Sequence, residues 1–206
     1  MSSEAFLPAM STTESADRTG LVRPKRADAR RNYDKVIAAA REAFADTGSA
    51  TSLEEIARRA GVGIGTLYRH FPTRQALLEA VYVDEVEAVC RIAAELDGGD
   101  AWEALVTWLH RLVSYFGTKQ ALAHELLDYL GRDAPLFKGC REALFDAGDP
   151  LLRRAQEAGA VRPDVDFSDL IQLVAGITKI PSGDPEQVDH ILRIALDGLR
   201  FRAPGS

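Results

Sequence analysis

The chain has 206 residues, 46% of them hydrophobic and 27% charged, with a formal net charge of −6, a balance that supports a buried core in one domain or two small ones. No apolar run reaches the roughly 18 residues of a membrane span, and the first residues carry neither the basic nor the apolar region of a secretory signal. Cys90 and Cys140 form no CxxC pair, so disulfide frameworks and paired-cysteine zinc sites are excluded, and a cytoplasmic protein with two reduced thiols is expected.

The charge is not evenly spread. Residues 23–78 hold eleven Lys/Arg against six Asp/Glu, whereas residues 83–206 hold thirteen against twenty-one. A basic N-terminal third can meet phosphate while the acidic remainder repels it, so any nucleic-acid contact belongs at one end.

Residues 1–22, rich in Ser, Thr, Ala and acid without an apolar period, read as a disordered tail. The arm Arg23, Lys25, Arg26, Arg30 and Arg31 follows; it is either a minor-groove arm or a solvated leader. In ARRNYDKVIAAAREAFADTG, Tyr33, Val36, Ile37, Ala40 and Phe44 recur at helical spacing, with Gly48 as the expected cap. A short helix follows in TSLEEIARRAG, with Thr51 or Ser52 as cap, Leu53, Ile56, Ala57 and Ala60 as its apolar stripe, and Gly61 as its end. The turn Gly61-Val62-Gly63 leads to IGTLYRHF, broken by Pro72, after which Thr73 caps a helix from Arg74 to about Leu96. Two short helices joined by a glycine turn are a helix-turn-helix signature.

Beyond it, AWEALVTWLHRLVSYF, QALAHELLDYL, PLFKGCREALF, DPLLRRAQEAG, SDLIQLVAGITKI and EQVDHILRIALDGLRF read as separate helices, with Gly117, Gly131, Pro135, Pro150, Pro163, Pro181 and Pro185 among their boundaries. No alternating strand is evident, and the expected fold is all-α.

Within IGTLYRHF, at about 100° per residue, Phe71 falls about 40° from Leu67, so both point to the core. Gly65, Thr66 and Arg69 occupy the opposite face, with Tyr68 and His70 on the flanks. Small residues let this face approach base edges, while a hydroxyl and a guanidinium can reach bases or phosphates.

The stretch TSLEEIARRAGVGIGTLYRHFPTRQALLEAVY, preceded by RRNYDKVIAAAREAF, resembles the DNA-binding domain of the TetR family of transcriptional regulators over about residues 28–82. The IA pair, AGV at the turn, GTLYRHF and the basic Arg74 followed by a Leu pair carry the resemblance, agreeing in order and spacing. It implies that Thr66, Tyr68, His70 and Arg74 bind the DNA backbone and that Gly63, Ile64 and Gly65 lie near the bases; Arg69 joins them by the helix geometry. Two positions depart from the family pattern. Gly63 stands where Ser is common and lacks its hydroxyl, while Ile64 stands where a polar residue is common and is suited to a thymine methyl.

The resemblance divides the chain into the tail 1–22, a helix-turn-helix DNA-binding domain at 23–72 and a helical effector-binding and dimerisation domain at 73–206. It implies a double-stranded DNA operator and an unidentified small-molecule effector as partners of a homodimer, with the effector releasing a repressor. For the effector site, the aromatic helix around Trp108 and Phe116 faces Tyr129, Phe137 and Phe145, with His110, His124 or Cys140 as polar anchor; a solid core is the alternative. Leu173, Ile177, Ile191, Ile194 and Leu199 form stripes on the last two helices that suit a two-fold four-helix contact. HELLD lacks the second His of a zinc-protease helix, and neither GxSxG nor a P-loop occurs. No enzyme activity, cofactor or metal is expected. A DNA-binding protein without an effector, or an all-α enzyme, stays open as the alternative.

Overall fold

The structure is a computed structural model describing residues 23–47, 51–96, 98–180 and 184–200, without the side chains of residues 45, 47, 118–121, 123, 124 and 185. The tail 1–22 and the cap position Gly48 lie outside the described residues.

Among the described residues the chain forms eight α-helices: α1 (Ala27–Thr47), α2 (Leu53–Ala60), α3 (Ile64–His70), α4 (Arg74–Glu95), α5 (Ala101–Leu130), α6 (Pro135–Glu157), α7 (Phe167–Ile177) and α8 (Pro185–Leu199). The only β-type pairing among them is an isolated bridge between Val161 and Arg200, where the Arg162 N–H donates to the Leu199 carbonyl at 3.0 Å.

The first three helices close on one apolar centre. Tyr33, Val36, Ile37, Ala40 and Phe44 of α1 are buried together with Ile56 and Ala57 of α2 and with Leu67 and Phe71. The Tyr33 and Phe71 rings lie 4.9 Å apart. Ser52 caps α2 by accepting from the Glu55 N–H, and α2 ends at Gly61 with φ 64°, a left-handed turn that glycine enters without a Cβ clash. Thr51, the other cap candidate, instead donates its hydroxyl to the Ala43 carbonyl at 3.3 Å. Thr73 accepts from the Ala76 N–H at 3.1 Å and starts α4.

Helix α4 joins the two halves, touching α1, α5 and α6. Its Leu77, Leu78, Val81, Tyr82, Val86 and Val89 are buried. Trp108 of α5 donates its indole N–H to the Val89 carbonyl at 3.1 Å, and Arg154 of α6 donates to the Leu96 carbonyl at 2.9 Å. The C-terminal part of this connecting helix is therefore tied to α5 and α6.

Two expected breaks are absent. Helix α5 runs 30 residues through Gly117, and α6 runs 23 residues through Pro150. A mid-helix glycine costs about 1 kcal/mol and a proline about 3, but the burial of Leu112, Tyr115, Leu122 and Leu126 on α5, and of Leu144, Leu151, Leu152 and Ala155 on α6, is larger. Pro150 and Asp146, four residues apart on α6, are both exposed.

Gly148 of α6 is required by contact. A Cβ there would stand 2.2 Å from the Phe167 ring and 2.5 Å from Trp108. The Trp108 and Phe167 rings are 5.6 Å apart, and the Phe145 ring lies 5.1 Å from Phe167, so an aromatic cluster closes over the glycine.

Candidate nucleic-acid interface and internal cavity

Helix α3 buries Leu67 completely and leaves its other side in water. Ile64 is 39% and Tyr68 44% exposed, large fractions for apolar and aromatic side chains. Gly63, Gly65 and Arg69 are exposed as well, and Thr66 is half-buried. Nothing lies within 4 Å of a Cβ built at Gly63 or Gly65, so another molecule can approach this backbone closely. Arg69 makes no ion pair among the described residues. His70 is half-buried, its ring edge-on to Tyr33 at 6.1 Å. Six of the expected contact residues therefore share an outward face or its flank beside Gly63, which is also exposed; the spacing of the apolar pair Leu67 and Phe71 is what turns them there.

Arg74 has a different setting. Its Nε donates to Glu125 Oε1 of α5 at 2.8 Å, its Nη1 donates to the Thr51 carbonyl at 2.6 Å, and its guanidinium stacks 5.5 Å over the Phe44 ring. Side-chain exposure is only 24% for Arg74 and 17% for Glu125. In this conformation Arg74 clasps the helix-turn-helix to α5. Arg23 of the basic arm likewise turns inward, pairing with Asp84 and, at 3.0 Å, with Glu87 on α4; Arg41 of α1 pairs with Asp84 and Glu85. Burial pushes the Glu85 and Glu87 carboxyls above their ordinary range, opposed by the attraction of Arg41 and Arg23 respectively. On the charged side of α2, hydrogen bonds from Arg58 and Arg59 hold Glu55 down at about 2.

A cavity of about 410 Å³ lies between α4, α5, α6 and α7, within the roughly 300–1,000 Å³ of small-molecule sites. Phe116, Leu127, Phe137, Leu144, Phe145 and Ile171 form its apolar wall; Tyr82, Arg132 and Arg141 are its polar members. The Tyr82 and Phe137 rings meet edge to face at 5.4 Å. Burial raises the Tyr82 and Tyr115 hydroxyls well above their usual values, so both are neutral donors at neutral pH.

Of the expected effector residues, Phe116 and Phe137 line this cavity and Phe145 joins them. Trp108 is fully buried beside it, engaged with Val89 and Phe167. Cys140 is 1% exposed and does not line the cavity, and Tyr129 is 52% exposed to solvent. His110 pairs with Asp189 of α8 at 3.3 Å, away from the wall. The His124 side chain lies outside the described residues. Neither Cys140 nor Cys90 is in a disulfide, and burial pushes the Cys90 thiol up to about 11, leaving it unreactive at neutral pH. The two cavity arginines come from the α5–α6 loop and from α6, and no spacing rule links a loop residue to a helix residue nine positions on. Their signal lies only in the fold.

Of the expected dimer residues, Ile194 is 59% exposed while Ile177 and Leu199 are 5% and 8% exposed. The latter two are buried in this subunit's own hydrophobic core, to which α7 and α8, packed on each other, both contribute. Leu173 and Ile191 are half-buried, packed against the core.

No described helix is long and apolar enough to cross a membrane. Residues 36–81 match the family model of bacterial regulatory proteins of the tetR family, and residues 100–201 match the C-terminal domain of SbtR-like transcriptional regulators. The chain is 36% identical to the TetR transcriptional regulator SCO0520 of Streptomyces coelicolor, with a TM-score of 0.72 over 82% of this chain and 99% of that one. It is also 36% identical to a TetR transcription regulatory protein of Mycobacterium vanbaalenii, with a TM-score of 0.68 over 86% and 99% of the two chains. The HTH-type transcriptional regulator UidR of Escherichia coli is 25% identical over 160 residues, or 75% of this chain and 82% of that protein. With an exposed short helix behind a glycine turn, an all-helical fold and these matches, the chain belongs to the tetR family and is a helix-turn-helix, DNA-binding transcriptional regulator.

Proposed function

We propose that the protein is a cytoplasmic homodimeric repressor that holds a pseudo-palindromic operator through two copies of α3 and releases it when a small molecule fills the cavity. The observation that carries the reading is the connection of an exposed α3 to a 410 Å³ cavity through one helix, α4, that is packed against both halves. Residues 23–72 form the DNA-binding unit and 73–206 the effector and dimer unit. Gly63, Ile64 and Gly65 approach the bases, Arg69 reads an edge or a phosphate, and Thr66, Tyr68 and His70 hold the backbone. Arg74 reaches phosphate only when it leaves Glu125. Leu173, Ile191 and Ile194 meet the second subunit, an arrangement favoured by the exposure of Ile194. Phe116 and Phe137 touch the effector. The chemistry is binding rather than catalysis.

Release is linkage: an effector that prefers the conformation with the wrong head spacing weakens operator binding by its differential affinity, typically about 1–3 kcal/mol. Two half-sites about 34 Å apart face one side of the duplex, which is what a two-fold dimer requires. Transcription in vitro from the promoter upstream of the protein's own coding region tests the reading. Repression by the dimer, with a footprint over two half-sites, is expected, relieved by a low-molecular-weight fraction of cell extract. Unchanged transcription with no footprint would overturn it.

A further inference from the structure

The cavity wall is chemically one-sided. Its charged members are Arg132 and Arg141, and no carboxylate lines it, although residues 83–206 carry twenty-one Asp/Glu against thirteen Lys/Arg. Elsewhere in the molecule, arginines near the core find acids, as Arg23, Arg41 and Arg74 do. Arg132 and Arg141 make no ion pair among the described residues, and the acid beside Arg141, Glu142, leans toward Lys138 at 3.9 Å. Both arginines are exposed, whereas Leu144 and Tyr82 are buried and the remaining wall residues half-buried. The guanidinium groups therefore stand at the solvent side of an apolar chamber with aromatic walls.

We infer that the cavity takes an organic carboxylate with an apolar body, the body seated against Phe116, Phe137 and Phe145 and the carboxylate held at the mouth by Arg132 and Arg141. Guanidinium forks match carboxylate oxygens in paired charge-assisted hydrogen bonds. A cation of the same shape meets two like charges, and a neutral analogue forgoes the ion pair. Leu127 of the wall lies two residues from Glu125, which holds Arg74, so the ligand also touches the helix that clasps the head. The inference rests on the effector reading above and specifies its ligand class.

The test uses the full chain and two matched sets of probes: decanoate, decanol and decylamine, and phenylbutyrate, phenylbutanol and phenylbutylamine, each below its aggregation threshold, titrated by calorimetry. In at least one set the carboxylate binds about tenfold or more tighter than the alcohol, and the amine binds weakest. In the Arg132→Gln/Arg141→Gln variant the carboxylate falls to the alcohol's affinity while the alcohol is unchanged; because both positions are exposed, the fold is retained, which thermal melting checks. Arg141→Lys keeps the charge but loses the fork and gives an intermediate preference. Equal affinity for acid and alcohol, preference for the amine, no binding by any probe, or an acid preference that survives the double substitution would each overturn the inference. The same titration repeated with operator DNA separates the two readings: selective carboxylate binding that leaves DNA affinity unchanged sustains the ligand class and refutes the effector role.

Discussion

At the residue scale, the outward side of α3 divides its labour by chemistry. Tyr68 offers one hydroxyl from a ring that is 44% exposed, suited to phosphate, whereas Arg69 offers a fork that can read guanine. Tyr68→Phe is therefore expected to weaken operator and unrelated DNA by the same factor, while Arg69→Ala relaxes sequence preference by about 1–3 kcal/mol at the affected base pair. Competition binding on operator and scrambled duplexes checks both, and a Tyr68→Phe change confined to the operator would count against a backbone role. Gly148 is a residue on which the packing of α6 against α5 and α7 depends. Gly148→Ala gains about 1 kcal/mol of helix propensity but drives a methyl into the buried Phe167 and Trp108 rings, a strain of about 1–3 kcal/mol or more where neighbours cannot yield. A lowered melting temperature is expected; an unchanged or raised one would show that the rings move aside.

At the element scale, α4 and α5 are the parts that touch both the first three helices and the rest of the bundle. The Arg74–Glu125 pair is more than three-quarters buried on both sides, so it is a contact with defined geometry rather than a surface ion pair. Glu125→Gln removes the carboxylate that competes with phosphate for Arg74, and DNA affinity at low salt is expected to rise, with the salt slope steepening by about one charge. An unchanged affinity and slope, measured by fluorescence anisotropy across a salt series, would mean that Arg74 is purely structural. Helices α1 to α4 were legible in the sequence because each has a short apolar stripe and a local stop or cap: Ser52, Gly61 and Thr73 act where local chemistry puts them. The clasp was not legible, since Arg74 and Glu125 are fifty-one residues apart. Gly117 and Pro150 misled for the opposite reason: their local preferences are real, but tertiary burial along α5 and α6 outweighs them. The cavity was half legible, its rings Phe116 and Phe137 following helix period and its arginines following nothing local.

At the scale of the whole molecule, an acidic body carries a basic head, and the ion network between α1 and α4 sits where they join. Glu85 and Glu87 have carboxyls raised by burial, so the stability linked to them is fully present below the ordinary carboxylate pKa and is lost as pH rises through their raised values. Glu87→Gln removes that penalty while leaving Arg23 its contact with Asp84. Thermal melts are expected to show the variant gaining stability over the parent at neutral pH, with the difference shrinking as pH falls into the carboxylate range. A difference independent of pH would assign the effect to packing.

Sequence-specific DNA binding through α3 is tested most directly by the equilibrium affinity for a duplex from immediately upstream of the protein's own coding region against a scrambled duplex, at several salt concentrations. A preference of about a thousandfold or more, with both affinities falling steeply as salt rises, is the predicted result. Equal, weak and salt-sensitive binding to the two duplexes would contradict it.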